Sequence, residues 1–168
     1  MDVRFINPFI VSCRTVCDMM IHVPITLGKP YLRQYQGPHM SVSAIIGFGG
    51  SITGSVVIRL SLPVAIALAS GLIGAPIPGL NADGVDALGE IANMIAGHAK
   101  KDLPGGLATL SVPSVILGDH KVEHPSGVPV IVIPCETPLG AFLIEVAIQS
   151  VAQAAEPLAA SVAATTAV

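Results

Sequence analysis

The chain has 168 residues, which suits a single domain able to bury a substantial core without disulfide or metal staples. Only 11% of the residues are charged, against 52% hydrophobic, and the net charge is -3. With no cluster of Lys and Arg, the chain lacks the electrostatic footprint that nucleic-acid phosphates reward, so that class of partner is set aside.

In chain order, the opening MDVRFINP has neither the basic stretch nor the apolar run of a secretory signal, which makes the cytoplasm the expected compartment. Asn7 and Pro8 open a helix whose apolar spacing continues to about Met20. Cys13 and Cys17 stand at i and i+4 on it, a spacing open to a redox pair or half of a metal site. Phe9, Val16 and Met20 share their stripe, however, which favours thiols packed as small hydrophobes. HVPITLGKPYLRQYQGP is a polar connection, after which SVSAIIGF and SVVIRLSL read as strands joined by the turn GGSITG. GGSITGS has the glycine spacing of a phosphate loop, but Ser55 occupies the position that needs a Lys, and a strand follows where a helix is required.

No charge occurs between Arg59 and Asp83. Pro63, Pro76, Pro78, Gly71 and Gly74 break that window, and its densest part, VAIALASGLIGA, is too short to span a bilayer, so no membrane insertion is expected. A core helix from Pro63 to about Leu72 accounts for it, with GAPIPGLNADG as a connection. Asp83 is the expected N-cap of the next helix, with Asp86 at its third position and an end near Lys101, before LPGG. LATLSVPSVILG, VPVIVIPCE and AFLIEVAIQ then read as strands, with turns at GDHKVEHPSG and TPLG. HKVEH, at 120–124, has the His-x-x-Glu-His pattern of some zinc peptidases. Gly118 and Pro125 leave no room for the helix that pattern needs, and an extended segment holds the two imidazoles about 13 Å apart, so no metal site is expected. The Ala-rich end is aperiodic and expected to fray, giving a domain over 1–149 and a tail over 150–168. The pattern belongs to the α/β class, of the α+β type, and two helix-then-strand halves divided near residue 80 hint at an internal duplication.

The helix carrying DALGEIANMIAGHA, residues 86–99, holds the candidate site. At about 100° per residue, Asp86, Glu90 and Asn93 fall within roughly 60° of one another, while Leu88, Ile91, Ala92, Ile95 and Ala99 form the opposite, core-facing stripe. A first-turn carboxylate complements the helix dipole, which is one account of Asp86, and Glu90 alone could be a solvated residue. Asn93 and Gly97 are harder to explain this way. A mid-helix Asn competes for the backbone and Gly costs about 1 kcal/mol relative to Ala, so local stability is given up where the helix faces outward. Gly97 leaves space for a macromolecular partner to come close, Glu90 can pair with a cation on it, and the Asn93 amide can fix a water for in-line attack on an activated phosphoryl group.

Asp86-x-x-x-Glu90-x-x-Asn93, with Gly97 and then Pro113 downstream, resembles the signature of the CheC/CheX/FliY phosphatases of bacterial chemotaxis. The CheX branch is the nearer, through MDVRFINPFI, GKPYL at 28–32 and GDHKVEHPSGVPVIVIPCETPLGAFLIEV at 118–146 together with a single acid–amide helix. The resemblance implies a CheC-like fold, long helices on a largely antiparallel sheet, in a homodimer joined through the sheet. It also implies hydrolysis of phosphoaspartate on a CheY-like response-regulator receiver. Glu90 would bridge to the receiver's active-site Lys and Asn93 would orient the attacking water, with Asp86 and Gly97 as partner contacts. The chain would carry no cofactor of its own, the Mg²⁺ residing on the receiver. The alternative is a binding module that holds a receiver, or another signalling protein, without turnover.

Overall fold

A computed structural model of the protein describes residues 3–34, 40–105 and 107–151. Its strands are β1 (Thr26–Leu27), β2 (Tyr31–Leu32), β3 (Val42–Gly50), β4 (Ile52–Leu60), β5 (Ala108–Leu110), β6 (Ser114–Leu117), β7 (Ile131–Thr137) and β8 (Gly140–Ser150). They form one sheet in the order β1-β7-β8-β4-β3-β5, with β2 also on β7 and β6 also on β3. All the pairings are antiparallel. The short strands are the ones sequence patterning missed or merged. β1 and β2 arise within the polar connection, and LATLSVPSVILG divides into β5 and β6 at Ser111–Pro113. The β3–β4 hairpin is also tighter than GGSITG suggests, because Gly50 takes up a φ of +87° and the chain reverses around Ser51.

Three helices cover one face. α1 (Asn7–Val16) has Pro8 in its first turn, where the missing N–H has no helical partner to lose. The expected end near Met20 is reached through a π-helical turn, Cys17–Ile21, stopped by His22 at φ 57°. α2 (Leu62–Ile73) buries Val64, Ala65, Leu68 and Ala69, and no described helix is long and apolar enough to cross a membrane. α2 can approach the π turn only because Gly71 has no side chain, since a Cβ there would lie 2.4 Å from the carbonyl oxygen of Ile21. α3 (Ala82–Lys101) packs against α1 and α2 and lies over β3. Phe9 of α1 meets Phe48 of β3 edge-on, with ring centroids 5.9 Å apart.

Cys13, Cys17 and Cys135 are free and buried, as the apolar stripe indicated. A hydrogen bond with Cys135, reinforced by burial, pushes the Cys13 thiol well above its ordinary range, and the Cys13 contact together with burial does the same to Cys17.

The halves have a common order: α1, β1 and β2 precede the β3–β4 hairpin, and α3, β5 and β6 precede the β7–β8 hairpin. The hairpins meet at β4–β8, and each pair of short strands lies on the outer strand of the other half. β8 runs through Ser150, and the Val151 amide donates to Ser51, slightly beyond the expected end of the domain at 149. Residues 152–168 of the expected tail lie outside the described residues.

Candidate functional site

α3 begins two residues earlier than the expected cap at Asp83. Asn81 is the N-cap, its side-chain oxygen accepting from the amide of Gly84 at 3.0 Å, and Asp83 lies inside the first turn. Asp83 therefore supplies the carboxylate that complements the helix dipole, while Asp86 is the fifth residue, exposed and past the turn where that field is strong. At the other end His98, Lys100 and Lys101 complement the carbonyl terminus.

The buried residues of α3 include Ala87, Leu88, Ile91, Ala92, Ile95 and Ala99, leaving the predicted polar stripe outward. Asp86 and Glu90 are exposed, and Asn93 and Gly97 are half-buried. Space is open at Gly97, where an added Cβ would meet nothing within 4 Å. The one direct link within the stripe is between Asn93 and Glu90: the amide nitrogen Nδ2 lies 3.4 Å from Oε2 and donates to it. That bond is long, but it sets the amide's sense. Its nitrogen is occupied by the acid, and its oxygen is the atom left to accept from a water.

A second constellation, on the far face of the sheet, was not legible from spacing. Glu145 in β8 is 1% exposed, yet it receives Arg59 Nη1 at 3.1 Å, Arg33 Nη1 at 3.2 Å and His124 Nε2 at 2.9 Å. Burial alone would raise its carboxyl pKa, but the bonds from His124 and Arg59 and the charge of Arg33 outweigh it and hold the group below the usual carboxylate value. Because a carboxylate only accepts, His124 carries its proton on Nε2, and Nδ1 faces the Ser55 hydroxyl at 3.4 Å. His120 Nε2 lies 2.7 Å from Ser43 Oγ. The two imidazoles of HKVEH thus anchor a loop to β3 and β8, and no group of three or more potential ligands able to hold a metal occurs among the described residues. The available signal was a single Glu inside the apolar run AFLIEVAIQ, since a strand buried on both faces can hold a charge only with partners. Its two arginine partners lie 86 and 112 residues away along the chain and its histidine 21, separations that no local pattern reveals.

The geometry has clear relatives. The family model described as chemotaxis phosphatase CheX matches residues 42–136, a span that includes all of α3. The CheY-P phosphatase CheX of Thermotoga maritima is 32% identical over 129 residues, covering 73% of this chain and 82% of that protein. A CheC-like superfamily protein from Shewanella sp. PV-4 superposes with a TM-score of 0.81 at 28% identity, covering 89% of this chain and 100% of the other. The CheX of Borrelia burgdorferi, solved in a complex with CheY, BeF₃ and Mg²⁺, gives a TM-score of 0.73 at 26% identity over 87% of this chain and 98% of its own. With a matching family model across more than half its length and a relative above 30% identity, the chain belongs to the CheX family of chemotaxis phosphatases, built on a CheC-like fold.

Proposed function

We propose that this protein hydrolyses the phosphoaspartate of a CheY-like receiver, with Glu90 docking onto the receiver and Asn93 aiming the attacking water. The observation that carries this reading is the solvent-facing acid–amide pair on α3, in a chain whose family includes a CheY-P phosphatase and a CheX solved with CheY. BeF₃ in that complex stands in for the phosphoryl group, and the Mg²⁺ is assigned to the receiver rather than to this chain.

An acyl phosphate is already activated, so the chemistry required of the phosphatase is modest. Water must be held in line with the bond between phosphorus and the aspartyl oxygen. As the water oxygen bonds to phosphorus, that bond breaks, the aspartate leaves as a carboxylate, and the product is inorganic phosphate. An amide has no basicity to offer, but its oxygen can accept from the water and fix its direction, and positioning of this kind supplies most of the acceleration in phosphoryl transfer. Glu90 pairs with the receiver's active-site ammonium and orients the Asn93 amide through the bond described above. Asp86 and Gly97 extend the contact, Gly97 by permitting close approach. The protein acts in the cytoplasm, as a homodimer joined through strand edges of its sheet.

The test is the phosphate lifetime of a loaded CheY-like receiver. The protein shortens it, and Glu90→Gln and Asn93→Ala each abolish the effect while their circular dichroism and melting behaviour match the parent. Binding with no change in lifetime would identify a non-catalytic module, and parental activity in both variants would place the chemistry elsewhere.

A further inference from the structure

The edge strand beside α3 contains an irregularity that the reaction above does not use. β5 pairs with β3 through Phe48↔Leu110, whereas β6 resumes on the same strand through Ile45↔Ser114. Between these pairs β3 has two residues, Ile46 and Gly47, while the edge strand has three, Ser111, Val112 and Pro113. This is a β-bulge of one residue, a device that bends an edge strand and redirects a side chain.

The bulge is firmly held. Ser111 donates its amide to the Gly47 carbonyl at 3.0 Å, and its hydroxyl accepts from the Gly47 amide at 2.9 Å while donating to the Val112 carbonyl at 2.8 Å. On the other side Pro113 seats against α3, its Cγ 3.3 Å from where a Cβ on Gly89 would stand. Gly89 immediately precedes Glu90 and lies one turn before Asn93, on the flank of α3 that faces the bulge. Between these two anchors Val112 is thrust outward, with 82% of its surface exposed.

We infer that Val112 is an apolar docking contact for the receiver, presented by the bulge beside the Glu90–Asn93 stripe. This rests on the receiver reading of that stripe and adds a residue to it. An acid and an amide give a partner direction and charge pairing but little apolar area, and interfaces draw affinity from a desolvated apolar centre. The backbone carrying Val112 is already held by the Ser111 bonds, so that part of the ordering cost is not incurred again when a partner covers the residue. The matching surface on the receiver is an aliphatic patch next to the cation that Glu90 engages. Because Val112 touches no reacting atom, it contributes to binding equally before and during the chemical step.

The experiment measures phosphate release as a function of phosphorylated CheY-like receiver concentration for the parent, Val112→Asp, Val112→Ala and Leu139→Asp. Leu139 is 62% exposed, on the turn between β7 and β8, three strands across the sheet from β6, and serves as the control. The expected result is a rise in KM of about tenfold for Val112→Asp and a smaller one for Val112→Ala, with kcat retained and Leu139→Asp like the parent. An unchanged KM in both Val112 variants overturns the inference, as does an equal rise in Leu139→Asp. A shift from dimer to monomer in Val112→Asp also overturns it, by assigning the residue to the contact between copies. If the parent neither shortens the phosphate lifetime nor binds the receiver, the receiver reading fails first and this contact falls with it.

Discussion

Asn93 Nδ2 stands 3.4 Å from Glu90 Oε2, one turn away on the outward face of α3, so the acid that would grip a partner also orients the amide. Replacing Asn93 with Asp leaves the size of the side chain almost unaltered but sets a second carboxylate against Glu90 and against an incoming phosphoryl group. Asn93→Asp is expected to lower the rate of receiver dephosphorylation by at least about 100-fold, the scale of a lost positioning contact at a reacting centre. Its stability should stay within about 0.5 kcal/mol of the parent, because the site is a solvent-facing one. Stopped-flow phosphate release and urea denaturation measured on one preparation check both halves.

Glu145 makes a different kind of prediction, since it holds the far face of the sheet together. Glu145→Gln leaves Arg59 and Arg33 without their counter-charge in a place water reaches poorly, and should cost about 3–5 kcal/mol in urea unfolding. The same carboxylate gives a pH dependence of known sign. Its folded pKa lies below the unfolded carboxylate value of about 4.3, so the unfolded chain binds more protons in that interval and stability rises with pH there. The contribution is complete above the unfolded pKa and is lost as pH falls through the folded one. Urea midpoints recorded between neutral pH and pH 3 should therefore fall more steeply for the parent than for Glu145→Gln. Parallel curves would refute this role.

Gly71 faces the carbonyl of Ile21 closely enough that any side chain must force α2 away from the π turn. Ala is the better helix former, so propensity alone predicts that Gly71→Ala stabilises. The contact predicts the reverse, a loss of about 1–3 kcal/mol from overpacking. Thermal unfolding of this single variant decides between them.

The three cysteines should be inert in the native protein. All are buried, and the pKa values of Cys13 and Cys17 are raised, so little thiolate is available to react. A thiol reagent such as dithionitrobenzoate should find no reactive Cys until denaturant is added, and then all three.

The course of α3 shows how much could be read locally. Its outward stripe of Asp86, Glu90, Asn93 and Gly97 depends on a periodicity of 3.6 residues that every residue in the helix obeys, so it was legible before any tertiary contact was known. The cap was less so: within LNADG both Asn81 and Asp83 are competent, and the packing of Gly84 against Ile77 and Leu80 accompanies a start at Asn81. The bulge at Ser111–Pro113 was beyond reach for a stronger reason, since a bulge is a mismatch between two strands and only pairing with β3 defines it.

By itself, then, the order of residues determined which segments become helices and long strands, which face of α3 meets water, and which residues on it form the acid–amide pair, because each follows from neighbours a few positions apart. Tertiary structure alone decided that Glu145 would be neutralised by Arg33, Arg59 and His124, that HKVEH would become a clasp across the sheet, and that Val112 would stand out beside α3. Each of those outcomes joins groups distant along the chain, and their electrostatic and packing energies exist only once the sheet has brought them within contact.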